Sequence, residues 1–228
     1  MSTATRILAI RFLDYWQAGS GQSGGGVVDS VALKDHAGLP VLPGRHLKGL
    51  LRQAAASAEA WGWFDDLRPA PDVNLTQWLF GSEAQVESDG GSLGREKTQP
   101  GMVRVASAVL PDDEHQWLAH KDNSAAVGHL YRELFTTAIS LDTGAAKRHS
   151  LRGLEVCVPL TLQARVDIVP AAGHQDYERQ MAWLAKGKAW ELLGKSVALI
   201  ENLGAWRTRG LGRAELSWIK PQAGRAGV

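Results

Sequence analysis

An α+β fold with the order β-α-β-β-α-β is predicted for this chain by three observations: apolar alternation near both ends, two helical stretches each with one apolar face, and two valine-rich extended runs between them. Residues 5–13 alternate as the first strand. A glycine-rich stretch, AGSGQSGGG (18–26), leads into VVDSVALKD (27–35), which alternates again and reads as a strand or extended segment. After the turn HAGLPVLPG, residues 45–61 read as a helix. Leu47, Leu50, Leu51, Ala54, Ala58 and Trp61 form its apolar face, and Arg45, Lys48 and Arg52 fall together on the opposite one. MVRVASAVL (102–110) and EVCVPLTLQARVDIV (155–169) read as the two central strands. A helical region over about 176–203 carries Leu184, Leu192, Leu193, Val197, Ile200 and Leu203 on its apolar side, and AELSWI (214–219) closes the series.

This is the split β-α-β order of ferredoxin-like and RRM-like folds. It implies one domain over 1–228 with two insertions, at about 62–101 and 111–154. The first contains Pro69, Pro71 and the polar run ESDGGSLGREKTQPG (87–101), which is expected to be partly disordered. In the second, GHLYRELFTTAI (128–139) reads as a short helix, followed by the basic loop DTGAAKRHSLRG (142–153).

Composition bounds the function. The 25 Lys and Arg against 24 Asp and Glu leave a formal charge of +1, so any basic surface must come from local clustering. Cys157 is the single cysteine, which excludes an internal disulfide and every multi-cysteine zinc site; in a valine-rich strand it reads as a small core residue. The seven histidines are dispersed and form no metal pattern. No apolar run is long enough to span a bilayer, and a cytoplasmic location with no membrane partner is expected.

The loop 18–26 contains Gly19-x-Gly21-x-x-Gly24, yet the chain after it is extended and opens no helix, so a dinucleotide site is a poor reading. Three cations on one helix ridge suit an anionic partner, although a solvated helix face is the ordinary explanation. Arg209-Gly210-Leu211-Gly212-Arg213 offers main chain that can approach a sugar-phosphate closely, or else forms a helix C-cap and turn. Asp29, beside glycines, is by residue type most simply a turn or strand-entry aspartate.

In order along the chain, DYWQAGSGQSGGG, VDSVALKDHAGLPVLPGRHLKGLLR, WLFGSE, MVRVASAVL, SLDTGAAKRHSLRGLE and WRTRGLGRAEL resemble the RAMP superfamily of CRISPR effector proteins, specifically the repeating backbone subunit of type III interference complexes, the Cas-seven family. The resemblance covers nearly the whole chain apart from residues 62–77, 111–125 and the tail after about 220. It implies an RRM-like palm that grips guide RNA (crRNA), a β-hairpin thumb inserted into the guide–target duplex, and partners comprising crRNA, target RNA, further copies of this chain in a filament and other effector subunits.

The resemblance also implies roles for residues. Lys48 and Arg52 would contact guide phosphates, with Arg45 on the same basic face a further RNA-binding candidate; Lys147, Arg148 and Arg152 would lie in the thumb, with His149 the one histidine there. Gly19 and Gly21 of the opening loop and Arg209, Gly210, Gly212 and Arg213 of the closing one would lie against RNA. Gln17 stands where many relatives carry histidine; it can hydrogen-bond RNA but cannot transfer a proton. Asp29 matches the aspartate required for target cutting and would be both the catalytic and the metal-binding carboxylate, with Mg2+ or another divalent metal as cofactor and neither zinc nor a nucleotide cofactor. Asp35 is expected to end the strand instead. Two other readings remain: a non-cleaving crRNA-binding scaffold of the same complex, and a crRNA-processing endoribonuclease, against which the single domain argues. The nine tryptophans suit base stacking or core and interface packing.

Overall fold

The computed structural model describes residues 4–25, 28–82, 98–172, 174 and 176–219. Its centre is β1 (Ala4–Phe12), where Leu8, Ile10 and Phe12 alternate with outward residues and are buried. Helix α1 (Gly44–Ala60) follows, its Leu47, Leu51, Ala55 and Ala58 in the core. The first insertion adds α2 (Leu75–Phe80), docked on α1 and capped by the Asn74 side chain, which accepts from the Gln77 N–H at 2.8 Å. The expected disorder within 87–101 falls mainly on residues outside those described.

Strand β2 (Val103–Val105) is shorter than the run 102–110 predicts. The chain leaves the ladder after Val105 and makes only isolated bridges, Ala108 with Leu42 and Val109 with Gln163. The second insertion holds α3 (Asp112–Ala119) and α4 (Ser124–Val127), and then β3 (Tyr131–Thr136) pairs antiparallel with β4 (Arg152–Cys157). The helix expected at 128–139 is therefore a strand. Phe135, Thr136 and Thr137 favour extended backbone, and β4 supplies the ladder that a local helix would have had to supply itself. The hairpin that the resemblance implies is present, with longer arms than the loop 142–153.

The expected single strand 155–169 is two. Val158-Pro159-Leu160 interrupts it, since proline has no N–H to donate to a ladder; β4 stays in the hairpin and β5 (Thr161–Ile168) enters the main sheet. The helical region 176–203 likewise divides into α5 (Tyr177–Ala185) and α6 (Lys188–Val197), with Gly187 left-handed between them. Strand β6 (Ala214–Ile219) completes the sheet in the order β2-β5-β1-β6, each neighbouring pair antiparallel. With α1 packed against α6, this is the ferredoxin-like arrangement.

The hairpin is anchored to the palm by Trp16. Its N–H and C=O exchange bonds with Cys157 (3.1 and 2.7 Å), its indole donates to the Val158 carbonyl at 3.2 Å, and its ring stacks on Phe12 at 4.2 Å. Cys157 is buried, which pushes its thiol up to about 12 and fits a core residue. Among the described residues no helix is long and apolar enough to cross a membrane.

Candidate nucleic-acid interface

The glycine loop folds back on the segment after it. Ser20 N–H donates to the Val31 carbonyl at 3.0 Å, Val31 N–H to Gln22 at 3.2 Å and Leu33 N–H to Ala18 at 2.6 Å, so residues 18–24 and 28–33 form an irregular antiparallel pair. No helix begins here, and the loop lacks the N-terminus that would hold a pyrophosphate. Gly19 and Gly21 are exposed with open space where a side chain would be.

Gln17 is different from its expectation. It is fully buried, and its amide donates to the Ser30 carbonyl (3.1 Å) and hydroxyl (3.0 Å). Its own carbonyl accepts from Ala205 N–H at 2.7 Å. Gln17 thus ties the Asp29 segment to the terminal loop from inside and presents no group at the surface.

Asp29 sits against the second arm of the hairpin, at Gly153. Its N–H donates to the Gly153 carbonyl at 2.9 Å, and its Oδ2 accepts from the Gly153 N–H at 2.8 Å. Beyond it Glu155 fastens the same segment, accepting from Ala32 N–H (3.0 Å) and pairing with Lys34 (2.8 Å). Asp29 is exposed, and its Oδ1 makes no hydrogen bond among the described residues. Nor do any three His, Cys, Asp or Glu side chains there gather closely enough to hold a metal. A divalent ion would fit only as Mg2+ commonly does, on one carboxylate oxygen with water and phosphate oxygens completing the shell. Asp35 has the turn role expected of it. Burial raises its carboxyl, but bonds from Leu39 N–H (2.9 Å), His115 (2.8 Å) and Ala37 N–H (2.8 Å) outweigh that and hold it below the usual range.

On α1, Arg45 is exposed while Lys48 and Arg52 are half-buried. Burial first, and then the charges of Arg52 and of Arg104 on β2, hold Lys48 below the ordinary lysine range. Arg104 therefore belongs to this cationic group. The sequence carried its signal, since Val103-Arg104-Val105 alternates and puts Arg104 on the solvent side.

The terminal loop is pinned from several directions. Leu203 N–H donates to Gly212, Gly212 N–H to Tyr15 and Leu13 N–H to Arg213, each at 2.8 Å. Gly204 N–H donates to His46 Nε2 at 3.0 Å, an interaction no sequence pattern signals. Gly212 is buried, and a Cβ there would lie 1.9 Å from the Leu203 carbonyl oxygen; the chain needs glycine here for its own packing, not for close approach by a ligand. Gly210 faces open space. Arg213 pairs with Asp14 at 3.1 Å, which offsets its charge. Arg209 lies over the Trp206 ring, 4.6 Å from its centroid. Lys147 and Arg148 are exposed near the hairpin tip, and Arg152 is exposed opposite Thr136, at the end of the β3–β4 ladder away from the palm.

Two clefts connect these groups. One of about 310 Å³ brings Ala18 and Gly19, Arg45 and His46, and Gly204 and Ala205 together; the other, about 480 Å³, lies between the terminal loop and the hairpin.

The RAMP superfamily profile matches residues 10–215. No curated protein matches the sequence. Among solved structures, a chain of the Type III-B Cmr-beta complex bound to cognate target RNA superposes with a TM-score of 0.59 at 10% identity, covering 94% of this chain and 97% of that one. A chain of the apo Type III-B Cmr-beta complex gives 0.53 at 11% identity, with 95% and 98% covered. With the family profile spanning most of the chain and the ferredoxin-like sheet beneath it, this protein belongs to the RAMP superfamily.

Proposed function

We propose that this chain is a backbone subunit of a type III CRISPR interference complex, which holds guide RNA by its sugar-phosphate backbone and cuts the paired target RNA at Asp29. The observation that carries this reading is convergence. Residues from four separate stretches of sequence, at 17–30, 45–52, 147–153 and 204–213, meet through direct bonds and shared clefts on a surface where cations outnumber carboxylates. Lys48, Arg104 and Arg45 supply charge without base-reading geometry, as expected where specificity is left to base pairing.

Cleavage needs little from the protein beyond placement. A nucleotide displaced from the duplex can bring its 2′-hydroxyl in line with the adjacent phosphorus, so that the 2′-oxygen attacks, the P–O5′ bond breaks, and a 2′,3′-cyclic phosphate and a 5′-hydroxyl that takes its proton from water are left; orientation alone lowers the barrier substantially. Asp29 Oδ1 is available to accept the hydroxyl proton, while the Oδ2 bond to Gly153 fixes the carboxylate against the hairpin arm. A bound Mg2+ would stabilise charge developing on the phosphate oxygens.

The same Gly153 bond favours a second reading, in which Asp29 only fastens the hairpin and this subunit is a non-cleaving scaffold. Effector complexes reconstituted with guide RNA separate the two. Wild type and Asp29→Ala are compared on labelled complementary RNA, with magnesium or EDTA. Evenly spaced, metal-dependent cuts lost in the variant, with target binding kept, support the nuclease; equal cutting by both assigns the activity elsewhere.

A further inference from the structure

The larger cleft has a composition that the backbone-holding role does not require. Its apolar lining comes from Leu134 and Leu154 of the hairpin and Leu211 of the terminal loop, with the hydroxyls of Thr136, Thr137 and Ser150 beside them. Arg152 and the stacked pair Trp206 and Arg209 line it too, and among the described residues no carboxylate does. Trp206 takes a left-handed backbone, φ 60°, an outlier for a bulky side chain that persists only where the surroundings enforce it. Here they do: Gly204 and Ala205 are bonded to His46 and Gln17 on one side, and the Arg209 N–H donates to the Trp206 carbonyl at 2.7 Å on the other. The half-exposed indole is thereby held in the lining of the cleft.

We propose that this cleft binds one unpaired nucleobase, stacked on the flat cationic platform of Trp206 and Arg209, with Arg152 placed for its phosphate. A flat aromatic body with polar edges and a neighbouring anion fits a lining of leucines and hydroxyls with a π face and two cations, and it fits neither an acidic site nor a purely aliphatic one. The position has a consequence for chemistry. Arg152 and Leu154 flank Gly153, the residue bonded to Asp29, so the cleft wall and the candidate carboxylate share one stretch of backbone. A nucleotide seated there has its sugar-phosphate next to that stretch. This inference rests on the RNA-binding reading above.

The test uses the full-length protein and fluorescence anisotropy with three RNAs of equal length: a single strand, the same strand with every base removed, and a fully paired duplex. Trp206→Ala is expected to bind the base-bearing single strand roughly 10-fold more weakly than wild type. Trp206→Phe, which keeps a π face, stays close to wild type, and Arg209→Gln falls between. The abasic strand and the duplex bind wild type and Trp206→Ala alike, and the salt dependence for the single strand is unchanged by Trp206→Ala. Loss of affinity by Trp206→Ala that is equal for all three RNAs overturns the proposal, because Trp206 then only shapes the loop. So does unaltered binding of the single strand by Trp206→Ala, with RNA binding as such left standing. Wild-type protein that binds none of the three overturns the RNA-binding reading together with this one.

Discussion

His46 and Gly204, 158 positions apart in sequence, are joined by a 3.0 Å hydrogen bond in which the glycine N–H donates to the imidazole Nε2. The bond requires a neutral ring. Burial first, and then the charge of Arg207, hold His46 below its ordinary value of 6.5 and keep Nε2 an acceptor. Through it the first turn of α1, which begins the cationic ridge, is fixed to the terminal loop that carries Trp206.

The pH dependence follows in sign. The unfolded chain takes up a proton near 6.5 and the folded one only at lower pH, so the His46 contribution is complete above about 6.5 and is lost as the pH falls through the folded value. In thermal unfolding between pH 8 and 5, wild type should lose more stability on acidification than His46→Gln, whose amide oxygen can accept from Gly204 without titrating. At pH 8, His46→Ala should be less stable by about 1–3 kcal/mol, the cost of leaving a shielded N–H unpaired. Parallel pH profiles for wild type and His46→Gln would remove His46 as the titrating group.

Lys48 and Arg104 repel each other in the free protein, and an RNA phosphate between them would relieve that repulsion. Replacing either with alanine should weaken binding of single-stranded RNA irrespective of sequence. It should also reduce the slope of log affinity against log salt by about 0.7 per lost contact. A salt titration of each variant measures this, and an unchanged slope for Arg104→Ala would take that residue off the RNA path.

The two glycines of the terminal loop should respond differently to the same change. Both have positive φ, 83° at Gly210 and 79° at Gly212, so alanine pays a conformational cost of about 1–2 kcal/mol at each. At Gly212 the added Cβ also collides with the Leu203 carbonyl. Gly212→Ala should therefore unfold at clearly lower urea concentration than Gly210→Ala. Equal midpoints would mean that the loop can relax around residue 212.

Much of this architecture was legible because apolar period reports burial. The alternation in β1 and the 3.6-residue spacing in α1 each record a face turned to the core, and both elements lie close to where the sequence puts them. The β3 arm was not legible, because Tyr131–Thr136 is largely exposed on both faces and its strand state comes from pairing with β4, a long-range contact that leaves no local period. The same reason hides His46 and Gln17 as loop clamps: apart from the Ser30 hydroxyl their partners are main-chain groups, which have no sequence identity to read. Residue type brought Asp29 forward as a turn aspartate, and the resemblance as a catalytic one; its bonds to Gly153 are compatible with both.

Asp29→Asn separates those roles better than alanine does. Asparagine Oδ1 can still accept from the Gly153 N–H, so the hairpin contact and its stability should be kept, whereas Asp29→Ala loses that bond at a cost of about 1 kcal/mol. If the carboxylate serves chemistry, both variants in an assembled complex should lose target cleavage by about 100-fold or more, the range for removing a general base, while only Asp29→Ala is destabilised. If it serves structure, Asp29→Asn should cut and melt as wild type does, and any defect of Asp29→Ala should be recovered by cooling the assay. Single-turnover cleavage on saturating target, paired with thermal unfolding of each variant, distinguishes the two, because a positional defect follows stability and a chemical one does not.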